Sequence, residues 1–174
     1  MTVAKISLGF SELPSKIAIL VYTQGCTVKC KGCFNTELWP FETKNSIRCN
    51  SPEELERLIK STVDISICGK NPWIVWLGGD PLDQKDIVEV LKYFKEHGYN
   101  NCVYTGRTDE SSSIPDAVKY YSSLMKIGPW EGIPVTDESS NQYFAIPHFD
   151  ADLCELEKVT WKNLAPLLKQ WKCQ

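Results

Sequence analysis

The sequence predicts an α/β fold, with a parallel sheet flanked by helices that closes only part of a barrel. Three observations predict it. Short runs that are apolar almost throughout alternate with segments of helical period, as parallel strands covered on both faces do. Glycine-bearing turns cut the runs, placing loops at the strand ends where such sheets carry ligands. The 174 residues fall short of the roughly 250 of an eight-fold barrel. A hydrophobic content of 43% suffices for one core, so residues 1–174 read as a single domain.

In order, residues 3–10 read as an extended lead-in and residues 16–23 as the first buried strand, delivering Cys26 at its carboxyl end. Ser51, Pro52 and Glu54 form a helix start, with a hydroxyl cap, a proline at the first helical position and a glutamate three residues after the cap. That helix runs to about Val63. Residues 73–77 form a second strand, stopped by Gly78-Gly79-Asp80-Pro81. Asp83 then caps a helix in which Ile87, Val88, Val90, Leu91 and Phe94 recur at helical spacing, ending near His97-Gly98. Residues 101–105 make a third strand, 115–122 a short helix and 124–127 a fourth strand. Residues 130–148 lack a clear period and read as a loop with one edge strand at 143–146. The patch at Ser111, Ser112 and Ser113 is a loop. Residues 160–171 have helical character, but Pro166 is expected to break a helix there unless one begins at it.

The chemistry centres on QGCTVKCKGCFN, where Cys26, Cys30 and Cys33 stand in a C-x3-C-x2-C array within eight residues. Three thiolates on one loop grip a soft metal centre. A cubane of four irons and four sulfides held by three cysteines leaves one iron open. A structural zinc would want a fourth ligand, which Cys49 or Cys68 would have to supply.

This loop resembles that of the radical S-adenosylmethionine (SAM) enzymes, in which C-x3-C-x2-C follows the first strand of a partial β/α barrel. With WLGGDPL, VYTGRT and MKIGPW…SSNQYF, the resemblance narrows to the activating enzymes of anaerobic (class III) ribonucleoside-triphosphate reductase and spans residues 23–144. It implies a radical SAM fold and a [4Fe-4S] cluster on Cys26, Cys30 and Cys33. It also implies SAM chelated to the open iron and reductively cleaved, and a glycyl radical made on the large subunit of the reductase. An electron donor such as a flavodoxin is implied as a second partner.

The same resemblance assigns the SAM-binding residues. Gly78, Gly79 and Asp80 match a GGE-type segment lining the methionine end, where a Cβ would occupy the space the ligand needs; a plain strand-ending turn reads equally from the residues. Asp80 stands where glutamate is commoner. Gly32 stands where many relatives carry an aromatic residue that stacks on adenine, which leaves the backbone from Gly32 through Cys33 to Phe34 to touch the base. Phe34 either packs there or joins the core. Asn35 either holds the cofactor or caps its own loop. Thr105 and Gly106 either face the ribose or methionine or simply end a strand. Met125, Lys126 and Ile127 match a SAM-contacting strand end, and Lys126 is either near the ligand's carboxylate or on an exposed face. Lys29 and Lys31 flank the cluster, to offset its charge, dock a partner or lie solvated.

Composition narrows the field further. A net charge of −3 argues against a nucleic-acid groove. No apolar run approaches the ~18 residues of a membrane span, and the first residues lack the apolar core of a signal peptide, so a cytoplasmic protein is expected. Of the eight cysteines, Cys49, Cys68, Cys102, Cys154 and Cys173 fit no ligand spacing and read as small buried side chains. His97 and His148 are too isolated to serve as bases. Two further readings stay open within enzymes, an activase of another glycyl radical enzyme and a small-substrate enzyme of deazaguanine synthesis. Outside enzymes, the rival is a zinc-binding interaction module.

Overall fold

The computed structural model describes residues 1–110, 113–150 and 153–171. Among these, eight strands form one sheet: β1 (Thr2–Gly9), β2 (Ala18–Thr23), β3 (Ile47–Arg48), β4 (Trp73–Gly78), β5 (Asn100–Thr105), β6 (Leu124–Ile127), β7 (Tyr143–Asp150) and β8 (Leu153–Val159). Their order is β3-β1-β2-β4-β5-β6-β7-β8. The four strands read from apolar runs, β2, β4, β5 and β6, pair in parallel at the centre. The sheet as a whole is mixed, however, because β1 and β3 on one flank and β7 and β8 on the other pair antiparallel. β3 and β8 are free edges, so the sheet does not close.

Four helices cover it: α1 (Pro52–Thr62), α2 (Ile87–Glu96), α3 (Asp116–Tyr121) and α4 (Trp161–Gln170). α1 begins as expected, with the Ser51 hydroxyl accepting from the Glu54 N–H. Leu55 and Ile59 of α1, Leu91 and Phe94 of α2 and Val118 of α3 are buried against one face of the sheet, with Ile19, Ile74, Trp76 and Val103. On the other face, Leu164 and Leu168 of α4 pack over Leu20, Val75, Cys102 and Leu124. Each such side chain contributes roughly 1.5–3 kcal/mol of burial. A buried amide joins the layers: Asn101 accepts from the Trp76 indole at 3.0 Å and donates to the carbonyls of Leu91 and Tyr121.

Several expectations are corrected. α4 runs through Pro166. The proline lies on the exposed side, where the carbonyl it leaves unpaired meets water, while Leu164 and Leu168 anchor the inner side and Thr160 caps the start. Asp83 does not cap α2; it ends a short 3₁₀ turn (Pro81–Asp83), and Asp86 occupies the cap position with its carboxylate on the Met1 ammonium. β8 lay unread because Glu155, Glu157 and Lys158 mask its strand character. The sheet reaches it only through β7, and edge strands commonly carry such charges. Cys49 and Cys102 are buried, but Cys68 and Cys154 are only half-buried. Ser111, Ser112 and Cys173 lie outside the described residues.

Candidate iron–sulfur and cofactor site

The carboxyl ends of the four parallel strands meet at one rim, since Thr23 pairs with Gly78 and Thr105 with Ile127. A cavity of about 420 Å³ opens there. Its floor includes Leu77 and Tyr104, on the α4 face of the sheet, and Trp161 at the start of α4.

The loop after β2 is positioned by its neighbours. Gly25, at φ +103°, lies under the Phe41 ring, which a Cβ on Gly25 would approach to 2.5 Å. The N–H groups of Gly25 and Cys26 donate to the carbonyls of Leu38 (2.8 Å) and Trp39 (3.1 Å). The Thr27 N–H and hydroxyl both reach the Asp83 carboxylate, at 2.7 and 2.9 Å. Arg107 pairs with that carboxylate at 2.8 Å, so the cysteine loop is tied to the segment leaving β5.

Cys26, Cys30 and Cys33 all line the cavity. Cys26 is buried, and desolvation pushes its thiol pKa up while the backbone N–H groups of Lys29 and Val28 pull it down. Cys30 Sγ accepts from the Trp130 N–H at 3.4 Å, and Cys33 Sγ from the Asn35 N–H at 3.4 Å.

Of the other residues nominated for the cofactor, Phe34, Asn35, Gly78, Gly79, Asp80, Thr105, Gly106 and Lys126 also lie on the cavity wall, whereas Gly32 does not and Met125 and Ile127 are buried in the core. Gly78 and Gly79 are required for a reason other than ligand clearance: a Cβ on Gly78 would lie 2.8 Å from the Thr23 nitrogen, and one on Gly79 only 2.1 Å from the Gly25 carbonyl oxygen. The chain itself fills that space. Asp80 is 1% exposed. Its carboxylate accepts from the Leu82 N–H, the Thr105 hydroxyl and the Gly106 N–H, so the side chain fastens β4 to β5. Desolvation raises its pKa to about 6, against the lowering effect of the Leu82 and Thr105 donors.

Lys126 is half-buried on the cavity side, its Nζ 4.4 Å from the centre of the Tyr104 ring. Burial lowers its pKa. Phe34 is 79% exposed and belongs to no core; its ring meets Trp130 at 5.1 Å between centroids. Gly32, at φ +71°, presents its carbonyl to the Trp130 indole N–H at 3.1 Å. Lys29 and Lys31 are exposed. His97 stacks on Tyr93, and His148 pairs with Glu157 away from the cavity.

Trp130, Trp39 and Gln142 also line this cavity and were not singled out. Trp130 stands 100 positions from the sulfur it touches. Its sequence signals are its place at the end of MKIGPW and a large aromatic residue two positions after the glycine that follows β6. The Trp39 Nε1 and Gln142 Oε1 atoms are buried with no hydrogen-bond partner, an open donor and an open acceptor among the side chains of the site.

The donor set, three thiols on one cavity wall, suits a cluster. Among the described residues, no three His, Cys, Asp or Glu side chains converge on a point where one ion could sit. Cys49 and Cys68 are not on the cavity wall. Three thiols facing one cavity, each free to take a separate iron, are what a cubane with three protein ligands needs.

A search of curated proteins found no match. Among solved structures, the chain is similar to the crystal structure of QueE from Escherichia coli, with 16% identity and a TM-score of 0.49. The similarity covers 76% of this chain and 60% of that one, so the chain spans about three fifths of its length. The model of the 4Fe-4S single cluster domain matches residues 16–125, more than half of the chain, including all three cysteines, the Gly78-Gly79-Asp80 segment and Thr105. The chain therefore belongs to the 4Fe-4S single cluster domain family.

Proposed function

We propose that the chain is a radical SAM activating enzyme that generates a glycyl radical on the large subunit of an anaerobic ribonucleoside-triphosphate reductase. The observation that carries the reading is that Cys26, Cys30 and Cys33 line one cavity at the carboxyl ends of the parallel strands. When bound, the cluster would chelate SAM at its open iron and supply one electron to the sulfonium, whose cleavage provides the oxidising equivalent for removing a hydrogen atom from a glycine Cα.

The residues of this chain bind and orient. Cys26, Cys30 and Cys33 would hold three irons. The backbone at Gly78 and Gly79 would form the wall beside SAM, and Lys126 would offer its ammonium to the ligand's carboxylate. Tyr104 and Trp161 would supply an apolar floor. Support for the narrower activase reading comes from the resemblance of GGDPL, TGRT and SSNQYF to that branch, and from an open-edged sheet whose cavity can admit a peptide loop. In this reading the protein works in the cytoplasm.

The test is anaerobic incubation of reconstituted protein with SAM, a reductant and the reductase large subunit, followed by electron spin resonance. A glycine-centred doublet, with one methionine released per radical, is expected. Methionine release without the doublet, together with turnover of a small pterin-like substrate, would replace this reading with deazaguanine synthesis. A colourless, zinc-containing protein would remove both.

A further inference from the structure

We propose that Gln142 sets the register of the polypeptide that the radical attacks: its side-chain oxygen accepts a main-chain N–H of that chain where the cofactor cavity opens into a second hollow, through which the chain leaves. This rests on the activase reading above and adds the residue that positions the substrate and the path it takes.

The second hollow, of about 290 Å³, lies between residues 135–142, the paired strands β7 and β8 and the start of α4. Val135, Thr136, Gln142 and Trp161 line both hollows, so the two are continuous. One aromatic floor runs beneath them. The Tyr104 ring, under the cofactor cavity, meets Phe144 at 5.9 Å between centroids, and Phe144, under the second hollow, meets Trp161 at 5.7 Å. The three cysteines and the Gly78-Gly79-Asp80 segment line the first hollow alone. The groups that would hold the cluster and SAM thus stop short of the second hollow, which is left for what the radical attacks.

Gln142 stands at the junction with its orientation fixed. Its Nε2 donates to the Gly128 carbonyl at 3.1 Å. A carbonyl only accepts, so the amide cannot be turned round, and Oε1 is the atom directed away from Gly128. Gly128 is a firm support: at φ +113°, it has the Asn141 carbonyl oxygen only 2.5 Å from where a Cβ would stand. The Gln142 main-chain N–H is held by the Ser140 hydroxyl at 3.1 Å. Oε1 itself is buried with no donor. An acceptor withdrawn from water is costly until a ligand supplies one.

The surroundings select a neutral N–H on an apolar chain. Glu138 pairs with Lys162 at 3.3 Å, Asp137 accepts from the Ser139 N–H, Ser140 donates to the Ile133 carbonyl and Thr160 caps α4, so these polar groups are already engaged. The Lys158 ammonium lies over the Tyr143 ring at 4.2 Å. Val135, Phe144, Val159 and Trp161 give the hollow an apolar lining. A main-chain amide satisfies Oε1 without bringing in a charge, and an apolar side chain beside it fills the hollow. A bond to the main chain fixes register whatever the side chains are. Thr136, Asp137, Glu138, Lys158 and Lys162 are exposed, so the far end of the hollow opens to solvent and a chain can pass.

The test measures peptide binding by anaerobic calorimetry to the reconstituted, SAM-loaded protein with its cluster oxidised, so that nothing turns over. The probe is a short peptide copied from the reductase large subunit around its radical glycine, with analogues in which one main-chain N–H at a time is replaced by an ester oxygen. In the wild type, one analogue is expected to bind roughly tenfold more weakly than the parent peptide. Gln142→Met, which keeps the length and removes the acceptor, should bind the parent roughly tenfold more weakly and lose nothing further with that analogue. Gln142→Asn, which holds the amide one methylene short, should show the same pattern and serves if the methionine variant does not fold. Unchanged peptide affinity in the variants, or an equal further loss with the analogue in variant and wild type, would overturn the assignment. Weakened SAM affinity with unchanged peptide affinity would overturn it too, by giving the N–H to the cofactor. A wild type that binds no peptide yet yields the glycine doublet on the intact large subunit would overturn the path through the second hollow. One that cleaves SAM but yields no doublet would instead overturn the activase reading beneath it.

Discussion

The Asp80 carboxylate, almost wholly buried, receives the Thr105 hydroxyl at 2.9 Å, and this contact joins the ends of β4 and β5 at the cavity rim. A carboxylate in that position is held between opposing effects. Burial disfavours its charge, the Leu82 N–H and Thr105 hydroxyl favour it, Asp83 disfavours it and Arg107 favours it, with a net rise to about 6 from 3.8.

A pH dependence of stability follows for the cluster-free chain. Below pH 3.8 Asp80 is protonated in both folded and unfolded states and contributes no difference. Between 3.8 and about 6 the folded state keeps a proton the unfolded state has released, so stability falls as pH rises, and above about 6 the loss is complete. A shift of that size corresponds to about 3 kcal/mol. Urea unfolding from pH 4 to 7 should show this fall in the wild type and a flatter profile in Asp80→Asn. Parallel profiles in the two proteins would show that Asp80 titrates normally.

The tie between the cysteine loop and Arg107 predicts a different phenotype. Asp83 accepts from Thr27 and Arg107 together, and its side chain is only 7% exposed, while that of Arg107 is 29% exposed. Removing the charge leaves a partly buried guanidinium without its counter-ion, at a cost of about 2 kcal/mol after discounting for the solvent that reaches Arg107. Asp83→Asn should therefore fold and take up iron, but lose it to a chelator roughly tenfold faster than the wild type. Unchanged iron release would mean that Asp83 does not position the loop.

Cys30→Ala probes the ligand set itself. Cys30 contributes one of the three thiols on the cavity wall. The variant should lose the iron–sulfur absorbance and all SAM cleavage, with its melting temperature in the cluster-free form close to that of the wild type. Full SAM cleavage by this variant would rule out Cys30 as an iron ligand.

Gly79→Ala is expected to act through the fold. Its Cβ would lie 2.1 Å from the Gly25 carbonyl oxygen, where the Asp80 N–H already donates to the same carbonyl at 2.9 Å. Neither backbone can withdraw without separating β2 from β4, so the cost should reach about 3 kcal/mol or more. Denaturant unfolding of the cluster-free protein measures it directly, and a stability equal to the wild type would show that the turn relaxes freely.

What could be read in advance divides along a physical line. β2, β4 and β5 were legible because strands buried on both faces must be apolar throughout, and α1 because Ser51, Pro52 and Glu54 satisfy its first N–H groups locally. The cysteine array was legible because its ligands lie within one loop. β7 was legible only over 143–146 and β8 not at all, because one side of an edge strand needs no apolar residues and the pairing is set by a neighbouring strand. The contacts that require Gly78 and Gly79 were hidden for a related reason: the atoms that exclude a Cβ belong to Thr23 and Gly25, some 55 residues away in sequence. The contacts of Trp130, which ends MKIGPW, escaped notice likewise, since its partners lie on the distant cysteine loop.

That last residue permits a graded test of how the cysteine loop is braced. Trp130 makes three separable contacts: its main-chain N–H to Cys30 Sγ, its indole N–H to the Gly32 carbonyl, and its ring to Phe34. Trp130→Phe keeps the first and an aromatic face for the third but deletes the second, removing about 1 kcal/mol of loop stabilisation. Trp130→Ala deletes the ring contact as well, for about 1 kcal/mol more. Amide hydrogen exchange across residues 30–35 in the cluster-free protein should therefore quicken roughly fivefold in the first variant and by a further similar factor in the second. Exchange elsewhere in the sheet should stay unchanged. Identical exchange in wild type and Trp130→Ala would show that the loop holds its shape without the tryptophan, and the aromatic pair would then be free to serve a ligand alone.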